Sequence, residues 1–268
     1  MRLFAAVLVA WYLALSVTPQ AAIPSGVGVS IAWQRGPDWA AHSLEMLQPP
    51  IWHNWVYDHL DDPTYTPMAY SLRLAAQDNY LEAAVTHEPR LWLLGSEPNL
   101  ASTYITPAEA AQAVQRWRDN YEGPIACCGT VQWAGWEQWL DAYLAAGGPV
   151  PDYWHVHVFD TYAYPPLSFF EAWMQAHDAV RPILVTETAC PWCDVAGNKR
   201  LMSEWAKLLA DGDVLAVVWY SDVDYWQLWP TTNLLSDDGT TLALLGEHYL
   251  SLTNIDSFFV LLPWLNGD

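Results

Sequence analysis

From residue 27 to residue 251, short apolar runs alternate with longer stretches whose apolar positions recur at helical spacing. Val27–Trp33, Ile51–Tyr57, Tyr65–Tyr70, Leu91–Ser96, Pro124–Gly129, Tyr153–Phe159, Ile183–Glu187 and Leu215–Tyr220 read as strands. Near-continuous apolar runs of this kind suit strands buried on both faces. Asp38–Leu47, Leu72–Thr86, Thr106–Tyr121, Trp133–Ala145, Pro166–Ala179, Lys199–Leu209 and Thr241–Ser251 read as helices. Asp38 is placed to cap the first of these. In Thr106-Pro-Ala-Glu, Thr106 is the expected N-cap, Pro107 the first helical residue, and Glu109 completes a capping box. Asp58–Pro63 is loop-like, so the second crossover is expected to be short or to lack a full helix.

Eight strands, mostly separated by helices, within a length near the ~250 residues typical of the fold, predict a single-domain α/β protein, a (β/α)8 TIM barrel. An open doubly wound sheet is the competing architecture. Its nucleotide-binding form is weakened because no Gly-rich phosphate loop follows any strand. Residues 1–22 read as a signal peptide, with Arg2 as a minimal basic region and Leu3–Val17 mostly apolar. A retained N-terminal anchor is the alternative. The barrel is assigned to 23–252, leaving an apolar C-terminal tail at 253–268. No later segment reaches the ~18 apolar residues of a membrane helix. A secreted or cell-surface protein, monomeric and without stable membrane insertion, is expected.

Charge narrows the partners. Ten basic against 30 acidic residues give a formal net charge of −20. That argues against nucleic acid and anionic membrane surfaces, which require clustered Lys and Arg. A neutral polymer is not repelled. The chain carries 18 Trp and 14 Tyr, and aromatic rings cover the C–H faces of sugars. Most of these rings are expected in the core, with a minority lining a cleft.

Two stretches carry the candidate chemistry. In Arg90-Leu-Trp-Leu-Leu-Gly-Ser-Glu-Pro-Asn99 an apolar run stops at Glu97, and Pro98 is expected to hold Glu97 in extended geometry. In Pro182-Ile-Leu-Val-Thr-Glu-Thr-Ala189 a second short strand ends in Glu187. Strand ends are where parallel α/β folds place their chemistry. Two strand-end carboxylates are what a barrel needs to address one sugar bond from two sides.

Leu94-Gly-Ser-Glu-Pro-Asn99 resembles the Asn-Glu-Pro signature ending strand four in retaining glycosidases of the clan A barrel type. Val185-Thr-Glu-Thr-Ala189 resembles their strand-seven nucleophile segment. With Trp52-His-Asn-Trp55, Pro67-Met-Ala-Tyr70 and Val156-His157, the chain looks closest to the small secreted "glycosyl hydrolase catalytic core" family. Characterised members of that family act on β-1,3-glucans. The resemblance implies a β-glucanase-like hydrolase with Glu97 as general acid/base, Glu187 as nucleophile, a polysaccharide substrate and no cofactor. It also implies two departures. The clan's Asn before the acid/base, which bonds the sugar 2-hydroxyl, is Ser96. The strand-six Tyr that orients the nucleophile is Phe159, leaving His157 or Tyr162 to substitute. Trp219 matches the position at which the clan stacks an aromatic under the cleaved sugar.

His155 and His157 share one strand face, which suits a polar barrel lining or, less well, a metal pair lacking a third ligand. No metal site is expected. His53 and Asn54, at the end of strand two, can bond a sugar or be buried and satisfied. Trp33, which ends strand one, is a further candidate to contact the sugar. Cys190-Pro-Trp-Cys193 after strand seven is read as a local disulfide, although a thioredoxin-type exported oxidoreductase places such a motif similarly. Cys127 and Cys128 are adjacent, so one is expected to be free or to pair elsewhere. A catalytically weak glycan-binding barrel is the other alternative.

Overall fold

The computed structural model describes residues 26–87, 89–159, 167–224 and 228–253, with only the backbone of Trp33. The expected signal at 1–22, the tail from residue 254, and Tyr162 lie outside the described residues.

Eight parallel strands form one sheet: β1 Gly26–Ser30, β2 Trp52–His53, β3 Met68–Ala69, β4 Trp92–Leu94, β5 Ile125–Val131, β6 Tyr153–Phe159, β7 Ile183–Ala189 and β8 Ala216–Trp219. Their order is β2-β1-β8-β7-β6-β5-β4-β3. The ends of this order meet through one isolated Trp52–Tyr65 bridge. Three hydrogen bonds reinforce that seam, from Trp52 N to Thr64 O (3.0 Å), Thr66 N to Trp52 O (2.8 Å) and Met68 N to Val56 O (2.8 Å). The sheet is therefore a nearly closed (β/α)8 barrel, as the alternating pattern predicts.

Eight α-helices are described: α1 Pro37–Leu47, α2 Leu72–Ala75, α3 Asp78–His87, α4 Pro107–Asn120, α5 Trp136–Ala145, α6 Ser168–Ala176, α7 Val195–Asp211 and α8 Leu244–Thr253. Among residues 54–67 there is no helix, so the second crossover is a loop as expected. The capping box of α4 forms in full. Asp38 does not cap α1. Pro37 already occupies the first helical position, which moves the cap to Gly36 and leaves Asp38 in the first turn. The helix expected over Leu72–Thr86 is two helices. The Trp117 indole donates to the Ala75 carbonyl at 2.5 Å, taking the acceptor that an unbroken helix would offer four residues on. Likewise α5 starts only after Gly135, and β2 and β3 are far shorter than their apolar runs because the seam gives them few partners.

Strand alternation divides the core. Ile51, Met68, Leu91, Leu93, Ala126, Leu184, Ala216 and Val218 pack together as the barrel filling. Their neighbours in sequence, including Trp92, Val217 and Trp219, pack in the layer shared with the helices. Asp222, just beyond β8, is a buried carboxylate that receives hydrogen bonds from Ala32 N, Val223 N, Trp39 Nε1 and Ser43 Oγ. It fastens the ends of β8 and β1 to α1 and takes no part in the site described next.

Candidate active site

The chain after β4 is shaped to aim one carboxylate inward. Gly95 has φ 87°, and a Cβ there would lie 2.7 Å from Cys128 O. Gly129, with φ 68°, would place a Cβ 2.7 Å from Gly95 O. The two glycines thus let the ends of β4 and β5 touch. Glu97 N then donates to Gly129 O at 2.8 Å, and the Asn99 amide pairs with the backbone N and O of Val131 at 3.0 and 2.8 Å. The expectation of extended geometry at Glu97 fails. Its φ is 53°, because these β5 contacts and the Leu100 N and Thr103 Oγ1 bonds to its carbonyl override the preference set by Pro98. We expect Gly95→Ala to cost about 3 kcal/mol from positive φ plus a backbone clash. A thermal melt showing no loss of stability would count against this geometry.

Glu187 is aimed by a bulge. Along β6 the partners run Val156–Val185 and then His157–Glu187, and along β8 Val217–Val185 and then Trp219–Thr188. Thr186 is the extra residue. Bulges re-aim side chains, and this one lets Thr186 and Glu187 both serve the interior. The Thr186 hydroxyl bonds His155 Nδ1 at 2.9 Å, and its carbonyl meets His53 Nε2 at 2.8 Å. Thr188 returns to the outer layer, where it bonds Val158 O and Trp205 Nε1.

The two glutamates meet on one rim. His157, fully buried on β6, stands between them with Nδ1 3.2 Å from Glu97 Oε1 and Nε2 3.5 Å from Glu187 Oε1. The ligand atoms of these three residues lie within 4.8 Å of one another. Nδ1 is in hydrogen-bond contact with Glu97, whereas Nε2 makes no hydrogen bond and faces Glu187 only across 3.5 Å, so the imidazole stands between the two carboxylates. The Trp55 indole donates to Glu187 Oε1 at 2.6 Å. Burial raises the proton affinity of Glu187, the His157 charge opposes that, the Glu97 charge adds to it, and the Trp55 bond opposes it; the net effect is upward. For His157, burial alone would lower proton affinity, but the Glu187 charge and the Glu97 bond outweigh it and hold the value above the ordinary histidine range.

The other expected site residues divide clearly. Ser96 is buried beside Glu97. His53 is fully buried on the Thr186 carbonyl, and burial lowers its pKa to about 4. Asn54 is also buried, donating to Asp58 Oδ1 at 2.9 Å and accepting from Tyr65 Oη at 2.6 Å. Trp219 is fully buried in the outer layer with its indole on Thr232 O at 2.9 Å, so it offers no face to a ligand. The residue that shares the inner face with Ala216 and Val218 is Tyr220. Its ring lies 5.9 Å from that of Trp55 and 5.7 Å from that of Phe159. Burial and then the Glu187 charge raise its pKa. Tyr70, after β3, is raised by burial and by both glutamates. Tyr70, Trp55 and Tyr220 join the candidate site although the sequence reading did not place them there; the parity that selects Tyr220 emerges only from the strand partners of β8.

Both cysteine pairs are bridged. Cys190–Cys193 forms the local disulfide expected. Cys127 and Cys128 are joined to each other, contrary to expectation, because a cis peptide between them brings their Cα atoms to 3.0 Å.

By fold and site, this is a (β/α)8 barrel presenting a glutamate pair at the C-terminal ends of its strands. No protein-family model and no curated protein matches the chain. Solved structures do. A glutamate-to-glutamine variant of a GH128 subgroup I endo-β-1,3-glucanase from Amycolatopsis mediterranei, in complex with laminarihexaose, superposes with TM-score 0.66 at 18% identity, covering 85% of this chain and 99% of that one. A subgroup II endo-β-1,3-glucanase from Pseudomonas viridiflava gives 0.63 at 23%, covering 84% and 96%. A subgroup VI exo-β-1,3-glucanase from Aureobasidium namibiae gives 0.66 at 18%, covering 85% and 97%. At such identities the likeness establishes the fold.

Proposed function

We propose that the protein is an exported retaining glycoside hydrolase acting on a neutral β-glucan, with β-1,3 linkage the first candidate because the solved neighbours are β-1,3-glucanases. The observation that carries this reading is the approach of Glu97 and Glu187 across His157, with ligand atoms within 4.8 Å. A separation of about 5–5.5 Å suits direct attack by one carboxylate, whereas about 6.5–9.5 Å leaves room for a water and gives inversion.

In the first step Glu187, ionised, attacks the anomeric carbon while Glu97 gives its proton to the departing glycosidic oxygen. The C–O bond to the leaving sugar breaks as the ester to Glu187 forms. In the second step Glu97 takes a proton from water, which attacks the same carbon and frees Glu187. The competent state needs Glu187 ionised. Burial raises its proton affinity, and the His157 charge and the Trp55 indole, which favour the ionised form, oppose that rise. His157 Nδ1, 3.2 Å from Glu97 Oε1, holds the Glu97 carboxyl in place beside the bond to be cleaved.

Trp55 replaces the phenol missing at Phe159 as the donor that orients Glu187. Hydrogen bonds to charged groups contribute about 1.5–3 kcal/mol. Trp55→Phe is accordingly expected to lower kcat roughly tenfold or more while leaving the fold intact. It should also move the basic-group limb of the pH–rate profile upward, because the ionised form loses a donor. An unchanged profile would remove Trp55 from this role.

The fold leaves Cys190–Cys193 as a rim clamp, with Cys190 fully buried, rather than as the accessible thiolate an oxidoreductase needs. Product analysis on a panel of soluble β- and α-glucans, with the anomeric configuration followed by NMR, tests the proposal. No cleavage of any β-glucan would defeat it, and initial release of the inverted anomer would defeat the retaining step.

A further inference from the structure

We propose that Trp192, at the tip of the Cys190–Cys193 turn, is a stacking platform for a distant unit of the glucan chain cleaved between Glu97 and Glu187. The inference rests on the hydrolase reading above. Trp192 is 66% exposed, although a tryptophan is among the most favourable side chains to bury. It is nevertheless held firmly. The disulfide closes the turn, Cys193 N donates to Cys190 O at 3.1 Å, and Cys190 N donates to Asn198 Oδ1 at 2.9 Å. The fully buried Asn198 amide donates in turn to Cys190 O at 3.1 Å and to Thr231 O at 3.2 Å. From the first turn of α7, Asn198 thus ties the loop after β7, through Cys190, to the loop after β8, which carries Trp229.

From Trp192 a continuous run of rings leads to the glutamates. Trp192 and Trp229 centroids are 6.3 Å apart, Trp229 and Tyr220 5.7 Å, and Tyr220 and Trp55 5.9 Å. The Trp55 indole ends the run on Glu187. A branch passes from Trp229 to Phe159 at 5.8 Å and on to the half-exposed Trp133 at 5.6 Å. Aromatic faces of this kind accept the C–H faces of pyranose rings without hydrogen-bond readout. A net charge of −20 disfavours an anionic occupant and leaves a neutral one unaffected. The cross-tied loops fix the platform before the ligand arrives, which reduces the ordering cost of binding.

The test uses the full chain and β-1,3-linked glucose oligomers of three and six units. In Trp192→Ala the ratio of kcat/KM for the hexamer to that for the trimer should fall about tenfold, the scale of removing a buried aromatic contact. Trp192→Phe should keep most of that ratio, and both variants should unfold at the wild-type temperature. An unchanged ratio overturns the proposal. So does a dimer of the wild-type chain that Trp192→Ala abolishes, since the ring would then serve a second copy. Calorimetry separates this failure from failure of the hydrolase reading. Glu187→Gln should bind the hexamer about tenfold more tightly than Glu187→Gln with Trp192→Ala, whether or not the wild type cleaves. Equal affinities, or no binding by either, sink the platform.

Discussion

Glu187→Gln should lower kcat on a β-1,3-glucan by about 10⁴-fold, the scale of losing a covalent nucleophile. Glu97→Gln should cost about 10²- to 10⁴-fold, the range of general acid–base catalysis. The two losses are distinguishable by the leaving group. An aryl glucoside whose phenol departs without a proton bypasses the need for acid in the first step. It should therefore restore bond cleavage in Glu97→Gln and leave Glu187→Gln inert. Steady-state and single-turnover rates on the glucan and on the aryl substrate provide the comparison. Rescue of the Glu187 variant instead would exchange the two roles, and wild-type turnover in both would end the two-glutamate mechanism. The amide of Gln preserves shape while removing the charge and the titrating proton, so neither loss reduces to a packing defect.

The same Glu187→Gln substitution should raise the melting temperature, and more so at pH 8 than at pH 5. In the folded chain the Glu187 carboxyl is pushed up to about 7 from an ordinary value of 4.5, chiefly by burial. A carboxyl whose proton affinity is higher folded than unfolded makes the unfolded chain lose its proton first. Stability therefore falls as pH rises through that window, and the full cost is present above about pH 7. A shift of this size corresponds to about 3 kcal/mol, an order-of-magnitude figure for a side chain only 6% exposed. At about 2–4 °C per kcal/mol the variant should gain several degrees at pH 8. Calorimetric scans of both proteins at the two pH values give the result. A gain that is larger at pH 5 would contradict the buried-charge account. The pattern expected here is one in which a functional group is retained at a cost in stability.

The barrel was legible because its strands are continuous apolar runs and its helices have strong period. The two carboxylates were legible for the same reason, since Glu97 and Glu187 interrupt those runs near the C-terminal ends of β4 and β7, although β7 continues two residues beyond Glu187 to Ala189. What lay out of reach depended on long-range contacts. Nothing local marks Thr186 as an extra residue in β7, yet that bulge decides where Glu187 faces. Ala216–Tyr220 is apolar throughout, so it carries no alternation of its own. Choosing Trp219 over Tyr220 was a choice of parity, which only the partners on β1 and β7 resolve. Asp38 lost its cap to Pro37, and Ala75 lost its helix to an indole 42 residues away. Trp55 stood in a motif that carried the family resemblance, but its bond to Glu187 required the fold, because only the nearly closed sheet brings the end of β2 to β7.

The seam between β2 and β3 has a thermal consequence. A hoop of parallel strands parts first where its lacing is thinnest, and here one lip carries the Trp55 indole bonded to Glu187 while the other carries Tyr70. Warming would loosen that join ahead of the remaining ladders, so the candidate site would lose its alignment while most of the ring is still intact. The working ceiling of this molecule is then set by a fastening of a few hydrogen bonds rather than by the tryptophan-rich bulk around it.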